Sequence, residues 1–269
     1  MEISLNHNIR PAVNHFAEAH RHWLAPVSLL VGLAAWEAAA RWSGYPAFIL
    51  PGPAMVGQRL VSSIASGELP RNAAFTLLEV TLGLILGVTL ATLLGYGLGK
   101  SRLLERLLSP YLVASQAIPI VAIAPLLVIW FGPGIFSKIL ICALIVFFPV
   151  LVNTVVGMRA VPENLRDLMR SMHATPLQTL CHLEIPAALP VFLAGMRVGA
   201  TLSVIGAVVG EFVGADRGLG FLINVARGQF DTALVFVAVF SLILMALGLY
   251  GLVLLLEHRL LAWQSRSHS

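Results

Sequence analysis

The chain has 269 residues, 58% of them hydrophobic and 11% charged, with a mean hydropathy of +0.88. A soluble domain cannot hide that much apolar surface, whereas several apolar runs of about 20 residues are what a bilayer requires. The net charge of +4 does not point to nucleic acid, because the basic residues are scattered and membrane topology accounts for them.

Two cysteines make no disulfide framework. Cys142 sits inside an apolar run and Cys181 outside one, so both read as free thiols. Residues 1–22 are polar and histidine-rich, and the apolar run that follows is too long for a cleavable signal and lacks a small-residue cleavage site. The first predicted span is 23–42. Trp23 and Trp42 lie about 28 Å apart on a helix, which suits rings anchored at the two interfaces. Pro46, Pro51 and Pro53 exclude a span from the next stretch, where Met55 to Ile64 predicts a short helix lying on the membrane. The second span, 73–99, carries Gly83, Gly87, Ala91, Gly95 and Gly99 at every fourth position, a stripe that lets another helix approach closely. A charged loop with Lys100, Arg102, Glu105 and Arg106 leads to the third span, 107–131. Within it lie Gln116, Pro119 and Pro125, and its prolines free backbone carbonyls that must be buried or line a cavity. FGPG (131–134) turns the chain into the fourth span, 135–156.

Residues 162–190 form the most distinctive stretch. Leu165, Leu168, Met169 and Met172 recur at helical spacing among Glu163, Arg166, Asp167 and Arg170. His173-Ala174-Thr175-Pro176 breaks that helix, and Pro176 suits the first position of a second one, predicted over Leu177 to Glu184 and ending before Pro186. The fifth span, 189–213, again offers small-residue faces at Gly195/Gly199 and Gly206/Gly210/Gly214. An irregular loop, 214–231, precedes the sixth span, 233–256. The reading is one six-span domain over 23–264, with a cytoplasmic segment at 1–22 and a cytoplasmic tail at 265–269.

Basic residues orient the chain. With the N-terminus in the cytoplasm, Arg10, Arg21, Lys100, Arg102, Arg106, Arg159, Arg166, Arg170, Arg259 and Arg266 face inward. Arg41, Arg59, Arg71, Lys138, Arg217 and Arg227 face outward, ten against six, with Arg197 inside a span. GYGLGKS (95–101) is not a phosphate-binding loop, because Leu94 stands where a glycine is needed and the stretch closes a membrane helix instead of following a strand. Glu37, Glu79, Glu211 and Arg197 lie within or near spans without an evident midplane partner, which speaks against an ion-driven carrier. No metalloprotease histidine spacing and no nucleophile elbow are present, so the chain is expected to be neither an enzyme nor a metal site. What remains is a channel-like subunit that offers a helical handle to a separate motor.

The 162–190 loop resembles the EAA motif of bacterial ABC importer permeases, in which a glycine follows four residues after E-A-A and I-x-L-P comes later. Asp167, Leu168 and Met169 fall on E-A-A. His173 falls on the glycine, a turn position where histidine tolerates positive φ better than most residues, and Leu183, Ile185 and Pro186 fall on I-x-L-P. The resemblance runs from about Val27 to Gln264. ILPGPAMV (49–56), residues 101–139, EIPAALPVFLAGMRVG (184–199), GEFVGADRGLGFLI (210–223), FDTALVF (230–236) and LEHRLLAW (256–263) are similar to nitrate/sulfonate/taurine-type permeases. Relatives of those permeases also carry bicarbonate and thiamine-precursor pyrimidines.

The resemblance implies an all-α, six-span, type I ABC importer permease of the bacterial inner membrane with a cytoplasmic coupling helix. Such a permease works as a homodimer. A cytoplasmic ATPase dimer carries the ATP and Mg, and a periplasmic or lipid-anchored binding protein delivers solute, with no cofactor on this chain. His173, Ala174, Thr175, Pro176 and Leu177 would seat in the ATPase. Gln116, Pro119, Pro125, Ser203 and Glu211 would line the pathway, and the loops near Leu50–Pro53 and Asp216–Gly220 would touch the binding protein. A sulfonate, taurine or nitrate is the expected solute, then a thiamine-precursor pyrimidine; an ion-coupled secondary carrier is the reading of a different class.

Overall fold

The computed structural model describes residues 13–262. Arg10, Arg266 and the tail 265–269 lie outside the described residues, as does most of the segment 1–22, and so do the side chains of Arg21 and Trp23. The described chain folds into α1 (Val13–Trp42), α2 (Pro53–Ala65), α3 (Glu68–Lys100), α4 (Arg102–Gln116), α5 (Ile120–Phe131), α6 (Ile135–Arg159) and α7 (Glu163–Ser171). There follow α8 (Pro176–Thr179), a π-turn (Leu180–Glu184), α9 (Ile185–Gly214), α10 (Leu219–Gly228) and α11 (Thr232–Leu260). Among the described residues, four helical stretches are long and apolar enough to cross a membrane: α3, α6, Pro176–Gly214 and α11. The pair α4–α5 makes a fifth if counted as one crossing.

At the centre lies α6, between α3 and α9. The stripe Gly83–Gly99 covers about 24 Å of α3 and lies against α6. A Cβ built on Gly87 would stand 2.7 Å from the Ala143 carbonyl oxygen, one on Gly95 2.8 Å from Thr154 Cβ, and one on Gly99 2.6 Å from Met158 Cβ. Ala91 in the same row is fully buried. Partner numbers rise together along both helices, so α3 and α6 run parallel. On the other flank of α6, Gly195, Gly206 and Gly210 of α9 approach Asn153, Cys142 and Lys138 in descending order, so α9 runs antiparallel. Lipid supplies no hydrophobic drive between helices, and small residues that admit a neighbouring backbone provide the dispersion contact instead.

Parallel α3 and α6 require the chain between them to cross back, and α4–α5 does so with a 93° bend. The bend falls within the third span read over 107–131, at its first proline. Pro119, the N-cap of α5, lacks an N–H and pushes Ile118 away from helical geometry, so the ladder cannot continue.

Two expectations are corrected. The second helix of the 162–190 loop does not stop before Pro186. It passes through the π-turn, where Ile185 N–H donates to Leu180 O five residues back, and runs on as α9. Pro186 falls in the first turn of α9, where a missing N–H costs little. Residues 214–231, expected to be irregular, contain the buried helix α10, whose Leu219 and Ala226 are fully enclosed against α2 and α11.

The glycine contacts yield a paired prediction. Gly87→Leu drives a side chain into the α6 backbone and should cost about 3 kcal/mol, seen as a lower melting temperature in detergent and a smaller folded yield. Gly97 on the same helix has nothing within 4 Å. Gly97→Ala should leave the melt unchanged or raise stability by about 0.5–1 kcal/mol.

Candidate functional site

Between α6 and α9 the chain leaves the helix stack in a turn specified by its own residues. Helix α7 ends in a Schellman arrangement: Ala174 N–H donates to Met169 O at 3.0 Å and His173 N–H to Arg170 O at 3.0 Å. His173 takes the left-handed position of that cap with φ 55°. Two residues after His173, Thr175 caps α8 reciprocally. Gln178 N–H donates to Thr175 Oγ1 at 3.3 Å, and Thr175 N–H donates to Gln178 Oε1 at 2.8 Å. The T-x-x-Q spacing is visible in the sequence and marks Gln178 as a residue the motif comparison passed over.

This turn holds an apolar ridge clear of the helix stack. Leu168, Met172 and Leu177 are 53%, 69% and 68% exposed, while Met169 and Ala174 face partly inward. Asp167 pairs with Arg170 on the exposed side at 3.0 Å. Thr175 and Pro176 are exposed, as is Ile185, and Pro186 is half-buried.

Two contacts tie the turn to the stack. Arg166 Nη2 donates to Met158 O at 2.6 Å. Lys100 Nζ, at the end of α3, meets Glu184 Oε1 in the π-turn at 2.6 Å, and Glu184 is 2% exposed. Nothing in a linear reading pairs residues 84 positions apart.

At the far end of α3 a second polar cluster is built around α10. A buried helix start leaves N–H groups that must find acceptors. Gly218 N–H donates to Asn72 Oδ1 at 2.8 Å, Leu219 N–H to Thr76 Oγ1 at 2.8 Å, and Gly220 N–H to Glu211 Oε2. Thr76 Oγ1 in turn donates to Glu211 Oε1 at 2.7 Å. Asn72, Thr76 and Glu79 share one face of α3. Glu79 and Lys138, both buried, line a cavity of 760 Å³ together with Asp216 and Arg217. Lys138 Nζ donates to the carbonyls of Pro133 and Gly134. In the loop outside the spans, the Arg217 guanidinium holds the Asp216 carboxyl below the usual carboxylate range.

The expected pathway residues therefore divide. Gln116, Pro119 and Pro125 are exposed along α4–α5. Ser203, which donates to Ala200 O at 2.7 Å, and Glu211 are enclosed within the single chain at 0% and 1% exposure. Of the four charges that the sequence left without partners, three have them: Glu37 meets Arg41 at 2.5 Å, Arg197 meets Glu257 at 3.3 Å, and Glu211 has the partners named above, while Glu79 Oε2 is buried without a hydrogen bond. Cys142 is a buried free thiol and Cys181 an exposed one.

A glycine-packed stack of membrane helices with an apolar-tipped turn projecting from one end is the form of a multi-pass membrane protein. The chain belongs to the family described as the binding-protein-dependent transport system inner membrane component, whose pattern matches residues 83–262. It is 48% identical over 240 residues to the riboflavin transport system permease protein RibX of Chloroflexus aurantiacus, covering 89% of this chain and 90% of that one. With the formylaminopyrimidine transport permease protein ThiX of Halalkalibacterium halodurans it shares 37% over 234 residues, 86% and 92% of the two chains. With the taurine transport system permease protein TauC of Escherichia coli it shares 31% over 246 residues, 88% of each. It is thus an ABC permease subunit of a multi-pass membrane type and not an enzyme, and membership implies an ATPase and a solute-binding protein as partners.

Two predictions follow from the caps. His173→Gly should relieve about 1 kcal/mol of left-handed strain and His173→Val should add to it, read as slower and faster hydrogen exchange at the Ala174 amide. Glu211→Ala leaves the buried Gly220 N–H without an acceptor and should cost about 1–3 kcal/mol. Glu211→Gln, which keeps an acceptor oxygen, should cost less in the same thermal melt.

Proposed function

We propose that this chain is one half of a homodimeric, six-span permease that conducts a small solute into the cytoplasm when a cytoplasmic ATPase acts on the 163–179 turn. The observation that carries this reading is the exposed ridge Leu168–Met172–Leu177, held by two helix caps between α6 and α9. An apolar surface on a charged loop clear of the spans fits a partner's groove. Lys100, Arg102, Arg106, Arg159, Arg166 and Arg170 gather at the same end, which supports placing that end, and both termini, in the cytoplasm. Asp167, Leu168 and Met169 shape the helix, His173 to Leu177 seat in the ATPase, and Ile185 and Pro186 pass the movement to α9. ATP and Mg stay on the partner. The binding protein docks at the other end, near Leu50–Pro53 and Asp216–Gly220. Gln116, Pro119 and Pro125, exposed on the bent α4–α5 pair, line the pathway between the two copies, while Ser203 and Glu211 support that wall from behind.

For the solute, a neutral heteroaromatic of the flavin or pyrimidine type is the better reading. Identity runs from 48% with the riboflavin permease and 37% with the formylaminopyrimidine permease to 31% with the taurine permease. At the Glu79–Asp216 cavity the two cations already have partners in the chain, Lys138 in two carbonyls and Arg217 in Asp216. The sulfonates expected from the sequence resemblance are the second reading, carried by the same family. Calorimetry on the binding protein that co-purifies with the chain decides between them: riboflavin or a formylaminopyrimidine should bind at micromolar concentration or below, and tight binding of taurine with neither heterocycle would reverse the order.

Leu177→Glu tests the seat. In proteoliposomes it should lower solute-stimulated ATP hydrolysis by about tenfold, the size of a typical coupling between distant sites. The melt of the isolated chain should be unchanged, because this side chain is already exposed.

A further inference from the structure

The underside of the turn contains an unfinished ion network. Glu184 sits in the π-turn at 2% exposure, and only its Oε1 is engaged, by Lys100 Nζ at 2.6 Å. Its Oε2 is buried without a hydrogen-bond partner, and so is Arg166 Nε on α7. Both residues line one cavity of 330 Å³, together with Lys100, Arg170, Ala174, Pro176 and Thr179. A buried carboxylate oxygen without a donor is costly, and so is a buried guanidinium N–H without an acceptor. Here the two residues line the same small space. Lys100 ends α3, lies 5.5 Å from the centre of the Tyr96 ring, and is 40% exposed, so it is anchored on the stack side while Glu184 belongs to the π-turn.

We infer that Glu184 is a positioning residue for transport: it hinges the turn on Lys100 and takes Arg166 as a second partner when the turn is pressed toward the stack. This rests on the reading that an ATPase acts on the turn. The Lys100 contact is present in the structure described, with the cavity open. Pressing α7 toward the π-turn closes the cavity and gives Oε2 and Nε one another, so the displaced state gains a charge-assisted hydrogen bond that this one lacks. Because Glu184 immediately precedes α9, and Lys100 belongs to the helix that α6 packs against, the displacement is delivered to α3 and α9 together. The π-turn suits this role, since its wider hydrogen-bond ring is an irregularity that a small shift can propagate or relax.

The test uses the whole permease reconstituted with its ATPase and binding protein, and reads three quantities: ATPase recovered with the tagged chain, ATP hydrolysed, and solute moved per ATP. Glu184→Gln should still recover the ATPase and hydrolyse ATP, while solute moved per ATP falls by about tenfold. Arg166→Gln should lower the same ratio. The double variant should be no worse than Glu184→Gln alone, because the two residues act through one contact. The exchanged pair Lys100→Glu with Glu184→Lys should recover part of the ratio. If Glu184→Gln does not accumulate, Lys100→Met, at a half-exposed position, carries the same expectation. An unchanged ratio in these variants overturns the inference, and so does a loss of ATPase recovery, hydrolysis and transport in equal proportion, or fully additive effects of the two single variants. If the wild-type chain recruits no ATPase at all, the importer reading itself falls and takes this inference with it; recruitment with unaltered coupling removes this inference alone.

Discussion

Everything in this chain is placed by the closeness with which α6 is held on two sides. In lipid, a helix gains nothing by hiding apolar side chains from a solvent that is itself apolar, so association depends on how near two backbones come. The row Gly83–Gly87–Ala91–Gly95–Gly99 on α3, and Gly195, Gly206 and Gly210 on α9, bring α6 within contact of bare backbone on both flanks. That arrangement leaves little room for sliding, because a Cβ on any of these glycines would stand 3.0 Å or less from an atom of α6. It sets two helices parallel and one antiparallel, and it obliges α4–α5 to return across the bilayer by a bent route. The three helices together form one tightly packed bar.

Both ends of the bar are polar, and each is closed by a different device. At one end, side chains from α3 and α9 take the place of a local cap for α10, so that a buried helix start reaches Asn72, Thr76 and Glu211 instead of water. At the other, a single ion pair between Lys100 and Glu184 joins α3 to the π-turn. Buried charges of this kind contribute little net stability beside well-packed apolar groups, but removing one partner leaves the other stranded. Their value lies in fixing which residue meets which. The first cluster is nearly satisfied and reads as a fixed joint. The second leaves Glu184 Oε2 and Arg166 Nε without hydrogen-bond partners on residues that line one small cavity, and it is there that the inferred change of partner would act.

The turn that projects beyond the Lys100–Glu184 joint is rigid for local reasons. A Schellman ending and a reciprocal N-cap lie within a few residues of each other, and Pro176 presets the backbone between them. Local rigidity lets an exposed surface be pushed without melting. It also allows His173 in place of glycine, since an αL histidine is strained but the flanking caps determine its conformation. The apolar ridge is therefore presented in one orientation whether or not a partner is present.

The amino-acid sequence by itself determined what depends on near neighbours. Apolar runs marked four helices long and apolar enough to cross a bilayer and a bent pair that makes a fifth, though not the six spans expected; spacing by four marked the packing face of α3, Pro176 marked a helix start, and the loop pattern pointed to the permease family. It misjudged places where a distant residue changes the local outcome. The loop at 214–231 reads as irregular because its cap donors and acceptors lie on other helices, with Asn72 and Glu211 supplying what no neighbour of Gly218 offers. Pro186 reads as a stop because an ordinary helix would leave a carbonyl unsatisfied there, and the π-turn absorbs the difference. Lys100 carries a charge whose partner, Glu184, lies 84 positions away in the chain, and Ser203 and Glu211 are enclosed by residues of neighbouring helices. Helix existence follows from local hydrogen bonds and hydrophobicity, which the chain states in order. Which buried polar group meets which follows from how two glycine faces seat on α6, and only the tertiary structure decides that.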